Sequence, residues 1–159
     1  MIYQVQFLPE LKIQGFLETV MKKEKKKVVR AIILDEQGRV LLGKRAQGKG
    51  AGTWALIGGK PDGNETPEKT IIREVKEELG IEFDPHFYLE ELDKESFPRE
   101  FWDVRYFEGG FEGKISLNEE NSEIMFVSLE DLDNFEIAFD HKELLIKFFK
   151  GKSKCFKKF

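Results

Sequence analysis

Three glutamates at helical spacing carry the clearest chemistry in this 159-residue chain. Glu74, Glu77 and Glu78 stand three and four residues apart, so a helix places them on one face. Like charges in that arrangement repel one another unless a cation lies between them. Carboxylate oxygens on a rigid helix suit Mg²⁺ or Mn²⁺, which also take phosphate oxygens of a substrate as ligands. The spacing predicts a divalent-cation site for phosphate chemistry, and the alternative is a solvated helix face.

A cation on the same helix has a matching role. Arg73 lies four residues before Glu77, and a guanidinium binds a carboxylate through two parallel hydrogen bonds. Contacts of this kind orient the ligands of a metal without touching the metal itself. We therefore expect Arg73 to orient the glutamates.

The helix that holds these side chains is marked at both ends. Thr66 is a favourable N-cap, Pro67 suits the first helical position, and Gly80 suits the left-handed residue after a helix. These signals predict a helix over Pro67–Leu79. Its packing face is predicted to carry Ile71, Ile72, Val75 and Leu79.

A longer pattern around this helix is specific. It runs from Gly59 to Ile81 with the sequence GKPDGNETPEKTIIREVKEELGI. At every defining position it resembles the Nudix box, through Gly59, Glu65, Arg73, Glu74, Glu77, Glu78 and Gly80. On this segment the chain is similar to the Nudix hydrolase family. Ile57-Gly58-Gly59 stands where many members have Pro-Gly-Gly, a change that alters no ligand side chain.

The resemblance implies roles for several side chains. The implied catalytic set is Arg73, Glu74, Glu77 and Glu78. The three glutamates would bind Mg²⁺ or Mn²⁺ with the carbonyl oxygen of Gly58, and Glu65 would support the metal site. Members often add a carboxylate from a later loop, for which the candidates are Glu119, Glu120 and Glu123. The general base resembles either Glu74 or a glutamate of that loop.

The same resemblance implies a fold and an activity. The fold would be α/β, a single-domain α/β/α sandwich with a mixed sheet. The activity would be Mg²⁺-dependent hydrolysis of a phosphoanhydride in a nucleoside diphosphate derivative, with a (modified) nucleoside triphosphate as the favoured substrate. ADP-ribose or another sugar nucleotide is the alternative substrate. A nucleotide-sensing domain without catalysis is the alternative function.

Two further segments hold candidate substrate-binding residues. Gly43 to Gly50 nearly matches a P-loop, but glycine stands where that loop needs a hydroxyl, and a strand follows it. Lys44, Arg45 and Lys49 are candidates to reach substrate phosphates or a base from this segment, and a role in solubility alone is the alternative. Trp102 and Tyr106 share one face of a predicted strand, where they are core aromatics or one stacks on a nucleobase. Other stacking candidates are Phe97, Phe101 and Phe111.

The composition indicates which class of partner and which cellular compartment to expect. A net charge of −4 and a pI near 5.4 argue against a stable nucleic-acid partner, so a small nucleotide is expected. Cys155 is the only cysteine and allows no internal disulfide, which favours the reducing cytoplasm. No 18-residue apolar run and no N-terminal apolar segment is found, which argues against a membrane span or secretion. The chain would act as a monomer or a homodimer.

The chain divides into three predicted parts. Residues 1–27 form an N-terminal extension with a short strand or helix and the basic connector KKEKKK. Residues 28–150 form the domain, and residues 151–159 form a basic tail. A final helix is predicted after Asp140. Strands are predicted over 28–34, 39–45, 54–57, 87–92, 101–107 and 124–129, with the first two joined as a hairpin.

Overall fold

In the part of the chain that the structure describes, two α-helices enclose two main sheets. A computed structural model describes residues 26–92 and 102–156, with side chains as far as residue 153. Predictions for residues 1–25, for Phe97 and for Phe101 lie outside the described residues. Helix α1 is Pro67–Leu79 and helix α2 is His141–Phe156, with a short 3₁₀ helix at Leu132–Asn134.

The first sheet is mixed. It contains the strands β1 (Lys26–Ile33), β4 (Ile57–Gly59), β6 (His86–Leu92) and β7 (Trp102–Gly109). Their order is β4-β1-β7-β6, with β1 and β7 parallel and the other pairs antiparallel. The second sheet is antiparallel, in the order β3-β2-β9, and contains β2 (Val40–Arg45), β3 (Trp54–Ala55) and β9 (Asn121–Val127). A small third sheet pairs β5 (Glu82–Phe83) with β8 (Phe111–Glu112).

The predicted hairpin of the first two strands is wrong. β1 and β2 lie in different sheets, and the bridge between Leu34 and Val40 is their link at the turn. The turn itself forms, because Gly38 adopts a φ of 73° and the Arg39 N–H donates to the Asp35 carboxylate at 2.8 Å. β1 has no free edge for β2, since β4 and β7 occupy its two sides.

Helix α1 has the predicted bounds. Thr66 Oγ1 accepts a hydrogen bond from the Lys69 N–H at 3.3 Å, and Gly80 closes the helix with a φ of 70°. The prediction for Ile72 is wrong, because its side chain is 39% exposed. The buried face of the helix instead includes Glu78 together with Ile71, Val75 and Leu79.

Strand β1 is shared by both halves of the core. Alternate side chains of a strand point to opposite faces, so Val29 and Ile33 pack with α1 whereas Val28 and Ile32 pack with α2. The sheets therefore lie between the helices, as expected for an α/β/α sandwich. Arg30 lies between Val28 and Ile32 on the face of β1 that packs with α2, and it places a positive charge among these apolar side chains.

Helix α2 begins directly after Asp140, where a final helix was predicted. It continues to Phe156, so it extends into the segment predicted as a basic tail. No helix in the described part of the chain is both long and apolar enough to span a membrane.

Candidate active site

Glu78 is the most deeply buried of the three glutamates predicted to bind metal. It lies in the last turn of α1 and is 4% exposed. Asn121 Nδ2 donates to its Oε2 at 2.7 Å, and the Gly58 N–H donates to its Oε1 at 3.3 Å. Burial raises the pKa of the Glu78 carboxyl to about 7, and the charges of Glu120 and Glu74 add to the rise. This carboxyl therefore titrates near neutral pH.

Glu74 lies one turn earlier, against the backbone of the glycine turn. Burial raises the pKa of its carboxyl, and the guanidinium of Arg73 opposes that rise. A Cβ on Gly59 would lie 2.2 Å from Glu74 Oε1. Glycine at position 59 therefore leaves room for the Glu74 carboxylate where it lies, and any larger residue would require this carboxylate to move.

Arg73 joins the glycine-rich loop to the helix through its guanidinium. Nε donates to Glu65 Oε1 at 3.0 Å, and Nη2 donates to the Lys60 carbonyl at 2.9 Å. Nη1 donates to Glu74 Oε1 at 3.0 Å and to Glu77 Oε2 at 3.1 Å. The hydrogen bonds from Arg73 lower the pKa of Glu65 to about 2. One cation therefore orients three carboxylates of the predicted site.

The later acidic segment brings one of its three candidate glutamates to Glu78. Glu120 lines the same cavity as Glu78, and its charge contributes to the raised pKa there. Glu119 is exposed and lies outside the lining of that cavity. Glu123 forms an ion pair with Lys44 at 2.8 Å. Neither side chain lines that cavity, although Lys44 was predicted to bind substrate.

The cavity over Glu78, here called the carboxylate cavity, has a volume of about 280 Å³. Its lining includes Arg30, Arg45, Gly58, Glu78, Glu120 and Asn121. Among residues 26–92 and 102–153, no three acidic, histidine or cysteine side chains lie close enough together to hold a metal ion. Mg²⁺ needs no such cage, because it commonly binds one or two carboxylates, waters and substrate phosphates. Burial, and to a lesser extent the charges of Glu120 and Glu74, disfavours the ionised carboxyl of Glu78, and a divalent cation would favour it, so the donor set fits one.

A second cavity, here called the aromatic cavity, has a volume of about 340 Å³. Its lining includes Arg30, Lys60, Trp102, Val104, Tyr106 and Phe139. Tyr106 is 1% exposed and belongs to the core, whereas Trp102 is partly buried. Lys60 Nζ lies 4.9 Å from the centroid of the Trp102 ring, within the range of cation–π attraction. Of the two predicted aromatics, Trp102 offers the more accessible surface to a ligand.

Arg30 lines both cavities. Its Nη1 donates to the Gly58 carbonyl at 3.1 Å. Burial lowers the pKa of the Arg30 guanidinium, and the positive charge of Arg45 lowers it further. The carbonyl that the resemblance assigns to a metal already accepts one hydrogen bond and retains a second lone pair.

His141, at the start of α2, is 3% exposed and neutral. Its Nδ1 accepts a hydrogen bond from the Leu56 N–H at 3.2 Å, so the proton of the neutral ring is on Nε2. Burial lowers the pKa of the imidazole well below its usual value, and the charges of Arg30 and Arg45 lower it further. His141 thereby ties α2 to the residue between β3 and β4.

A family model covers most of the chain. The model of the NUDIX domain matches residues 24–148, a span that contains α1, the described strands and both cavities. The chain belongs to the NUDIX domain family. The resemblance expected from the residues between Gly59 and Ile81 is therefore confirmed.

Individual relatives of this Nudix domain match over shorter stretches. The CTP pyrophosphohydrolase of Escherichia coli (strain K12) is 43% identical over 53 residues, which are 33% of this chain and 39% of that protein. The 8-oxo-dGTP diphosphatase of Proteus vulgaris is 36% identical over 64 residues, which are 40% of this chain and 57% of that protein. Each match therefore spans less than two thirds of the relative.

The Nudix domain shares its fold with a solved structure of a similar size. The MutT protein from Methanosarcina mazei Go1 superposes with a TM-score of 0.70 at 27% identity, over 84% of this chain and 98% of that chain. The predicted α/β/α fold with a mixed sheet is thus confirmed.

Some residues that shape this Nudix site belong to no motif. Arg30 alone has a signal in the sequence, because it interrupts the apolar run VVRAII, and charged residues rarely occupy inward-facing strand positions without a role. The others reach the site only through contacts between distant parts of the chain, and they are Asn121, Phe139 and His141.

Proposed function

We propose that this protein is a Mg²⁺-dependent pyrophosphohydrolase that cleaves a phosphoanhydride in a nucleotide, with a (modified) nucleoside triphosphate as its substrate. The observation that carries the proposal is that the carboxylate cavity meets the aromatic cavity at Arg30. A nucleotide has the same two parts, since its phosphates bind cations and its base stacks on aromatic rings. The names of the two relatives, CTP pyrophosphohydrolase and 8-oxo-dGTP diphosphatase, support this substrate class.

The metal site of the proposal consists of Glu74 and Glu78 with the Gly58 carbonyl, and Glu77 joins them from the exposed side of α1. Nudix enzymes generally depend on a divalent metal ion. Mg²⁺ suits an all-oxygen set of donors, and Mn²⁺ is the alternative. When bound, the ion supplies a water of lowered pKa and neutralises charge on the diphosphate. Arg73 keeps the carboxylates in place.

The reaction also needs a base that accepts a proton from the attacking water. Glu120 lines the carboxylate cavity beside Glu78, and Glu74 lies one turn away on α1, so these two carboxylates are the candidates. The water oxygen bonds to phosphorus while the bond from that phosphorus to the bridging oxygen breaks. The bridging oxygen leaves with the second phosphorylated product. Arg45 lines the cavity and would neutralise phosphate charge.

The nucleobase is proposed to occupy the aromatic cavity. Trp102 offers a ring face for stacking, and Val104 continues the apolar wall on the same side of β7. Lys60 lies over the Trp102 ring and would have to give way to a stacked base. Base stacking on one aromatic side chain contributes about 1–3 kcal/mol, so W102A should raise KM for the preferred nucleotide by roughly 5- to 150-fold.

A panel of nucleotides tests the activity. The panel contains 8-oxo-dGTP, CTP, ADP-ribose and UDP-glucose, each with Mg²⁺, and chromatography resolves the products. We expect a triphosphate to yield a nucleoside monophosphate and pyrophosphate, with the reaction abolished by EDTA and by E78Q. The matched control is E68Q, at an exposed position in the first turn of the same helix.

Two outcomes would change the proposal. Faster hydrolysis of ADP-ribose or UDP-glucose than of either triphosphate would assign the protein to the sugar-nucleotide pyrophosphatases. Binding without turnover across the whole panel, at saturating Mg²⁺, would identify a nucleotide sensor in place of an enzyme.

The organisation of the chain is also proposed. Residues 28–150 would be the catalytic domain, which agrees with the family match over residues 24–148. Residues 1–27 and 151–159 would be an extension and a tail on that domain, with a monomer or homodimer as the working form. The cytoplasm is the proposed compartment, because Cys155 is the only cysteine and no disulfide can form within the chain.

A further inference from the structure

His141 uses one ring nitrogen to hold the fold together and keeps the other available. Nδ1 accepts the hydrogen bond from the Leu56 N–H at 3.2 Å, which leaves the proton of the neutral ring on Nε2. No acceptor for Nε2 lies among the residues that the structure describes, 26–92 and 102–153. Buried N–H groups nearly always have a partner, so a ligand is the natural acceptor for this donor.

The direction of Nε2 follows from the burial of the side chain. His141 is 3% exposed, yet in the described part of the chain no side-chain nitrogen or oxygen that is fully shielded from solvent lacks a hydrogen-bond partner. Nε2 must therefore be an atom through which His141 reaches accessible space. That space is the aromatic cavity, because His141 lines this cavity and is absent from the lining of the carboxylate cavity.

Two aromatic rings pack against the imidazole. The Tyr106 ring lies 6.5 Å from it at an interplanar angle of 86°, and the Phe139 ring lies 5.2 Å from it at 58°. Phe139 has a φ of 58°, and no other non-glycine residue in the described ranges has a positive φ. Bulky residues avoid this left-handed region, and strain of this kind concentrates at functional sites. The imidazole is thus fixed before a ligand binds, so its N–H selects among ligands.

The side chains around Nε2 are mostly hydrogen-bond donors. Arg30, Lys49 and Lys60 line the same cavity, and their side chains donate and have no acceptor atom. Asp140 is the acidic residue of this lining, and it takes part in other interactions. The His141 ring is neutral and its Nδ1 is engaged, so Nε2–H donates and does not accept. A ligand with acceptors along its edge therefore matches the cavity.

We propose that His141 Nε2–H donates a hydrogen bond to a keto oxygen on the edge of the nucleobase, which makes the protein select keto bases. Guanine, hypoxanthine and uracil carry a keto oxygen where adenine and cytosine carry an amino group. An amino group would place two donors against each other and leave both without an acceptor. This inference rests on the proposed function, which places the base in the aromatic cavity, and adds to it the residue that selects the base.

Two substitutions of His141 separate this role from the structural one. The amide oxygen of asparagine can replace Nδ1 as the acceptor for the Leu56 N–H, but the shorter side chain does not reach the position of Nε2. Glutamine is longer by one methylene, so its amide N–H can replace Nε2–H, whereas its oxygen does not reproduce Nδ1. A purely structural histidine makes H141N the milder change. Recognition of the base makes H141Q the milder change for substrate choice.

Steady-state kinetics with Mg²⁺ tests the inference on two pairs of triphosphates, ITP with ATP and UTP with CTP. The members of each pair differ by one exchange of a keto for an amino group. We expect the wild-type kcat/KM to favour the keto member by about 5- to 150-fold, the effect of a buried donor left unpaired. H141N should abolish the preference and H141Q should keep it, although H141N should have the higher Tm of the two. The matched control is H86N, at an exposed imidazole.

Three kinetic results would overturn the inference. One is a wild-type protein without a preference for the keto member of each pair. Another is an H141N variant that retains the wild-type preference. The third is an H141N variant whose kcat/KM falls by the same factor for all four triphosphates, which would place the hydrogen bond on the ribose or a phosphate.

Calorimetric titration with IMP and AMP, which have no anhydride to cleave, separates this inference from the proposed function. A preference for IMP that H141N abolishes, in a protein that cleaves none of the triphosphates, would keep the role of His141 and remove the proposed activity. Cleavage of the triphosphates without a keto preference would keep the activity and remove the role of His141. A protein that binds neither monophosphate and cleaves no triphosphate would overturn both.

Discussion

Asn121 Nδ2 lies 2.7 Å from Oε2 of Glu78, and both side chains are buried. The hydrogen bond joins β9 to the last turn of α1, between residues 43 positions apart in the chain. Burial raises the pKa of Glu78, and a donor to the charged carboxylate opposes that rise. Gly43 leaves the space that Asn121 occupies, because a Cβ there would lie 2.3 Å from Asn121 Oδ1. Glu78 therefore remains able to ionise near neutral pH.

Leucine in place of Asn121 removes this donor. We expect the pKa of Glu78 to rise above 7, and Mg²⁺ affinity at pH 7 to fall by about tenfold for each unit of that rise. The affinity should recover at higher pH, where the carboxyl is ionised. Titration of turnover with Mg²⁺ between about pH 6.5 and 9 measures the effect, with S122A at an exposed neighbouring position as control. Equal Mg²⁺ dependence of N121L and wild type at every pH would contradict it.

Glutamine in place of Glu78 separates stability from catalysis. Burial raises the pKa of Glu78 from 4.5 in the unfolded chain to about 7 in the folded protein. The buried carboxyl therefore does not lower the free energy of unfolding below pH 4.5, and it lowers it fully above about pH 7. Metal-free E78Q should therefore match the wild type near pH 4.5 and exceed its free energy of unfolding at pH 8 by up to about 3 kcal/mol. Urea unfolding with EDTA at both pH values measures this. A variant less stable than the wild type at pH 8 would refute the raised pKa, and E78Q should also lose Mg²⁺-dependent turnover.

Alanine at position 59 tests the match between the glycine turn and Glu74. Its Cβ would lie 2.2 Å from Glu74 Oε1, so the carboxylate must move. Displacement of a catalytic group by about 1 Å reduces rates by roughly 100-fold, so G59A should lose about 10–100-fold in kcat. The control is G110A, where a Cβ meets nothing within 4 Å. Equal rates for the two variants, each with native circular dichroism, would show that this carboxylate tolerates displacement.

Lysine at position 73 keeps the positive charge but removes the fork of donors. Arg73 contacts Glu65, Glu74 and Glu77 together, and the single ammonium of lysine cannot reach all three. Since loss of such orienting contacts usually reduces activity or metal affinity by about 10–100-fold, we expect R73K to fall in that range. Steady-state rates over a Mg²⁺ titration measure both quantities. K76R, at the exposed neighbouring cation that pairs with Glu82, should leave them unchanged.

Acid should destabilise the protein through His141. Burial, with Arg30 and Arg45 facing the ring, lowers the pKa of the imidazole well below 6.5. The stability that neutral His141 contributes is complete above pH 6.5 and falls as the pH drops below it, by up to about 1.4 kcal/mol per unit. Tm measured between about pH 7.5 and 5 should therefore drop more steeply for the wild type than for H141N. Parallel curves would exclude His141 as the cause, and H86N, at an exposed imidazole, provides the control.

Local signals predict local structure well in this chain. The helix over Pro67–Leu79 is confirmed at both ends, because its caps and first proline act within a few residues of one another. Two predictions were wrong, namely that β1 and β2 form a hairpin and that Ile72 is buried. Strand partners and the buried edge of a helix depend on elements far away in the chain, which a local pattern does not contain.

The sequence by itself determined the family and the carboxylates of the predicted metal site, because both reside in 23 contiguous residues at fixed spacing. Their roles as ligands and base stay predictions. Only the tertiary structure decided that Asn121 binds Glu78, that Arg30 joins the two cavities, and that His141 lines the aromatic cavity. These residues come from β9, β1 and the start of α2. Their charges and pKa values depend on burial and on neighbours that only folding brings together.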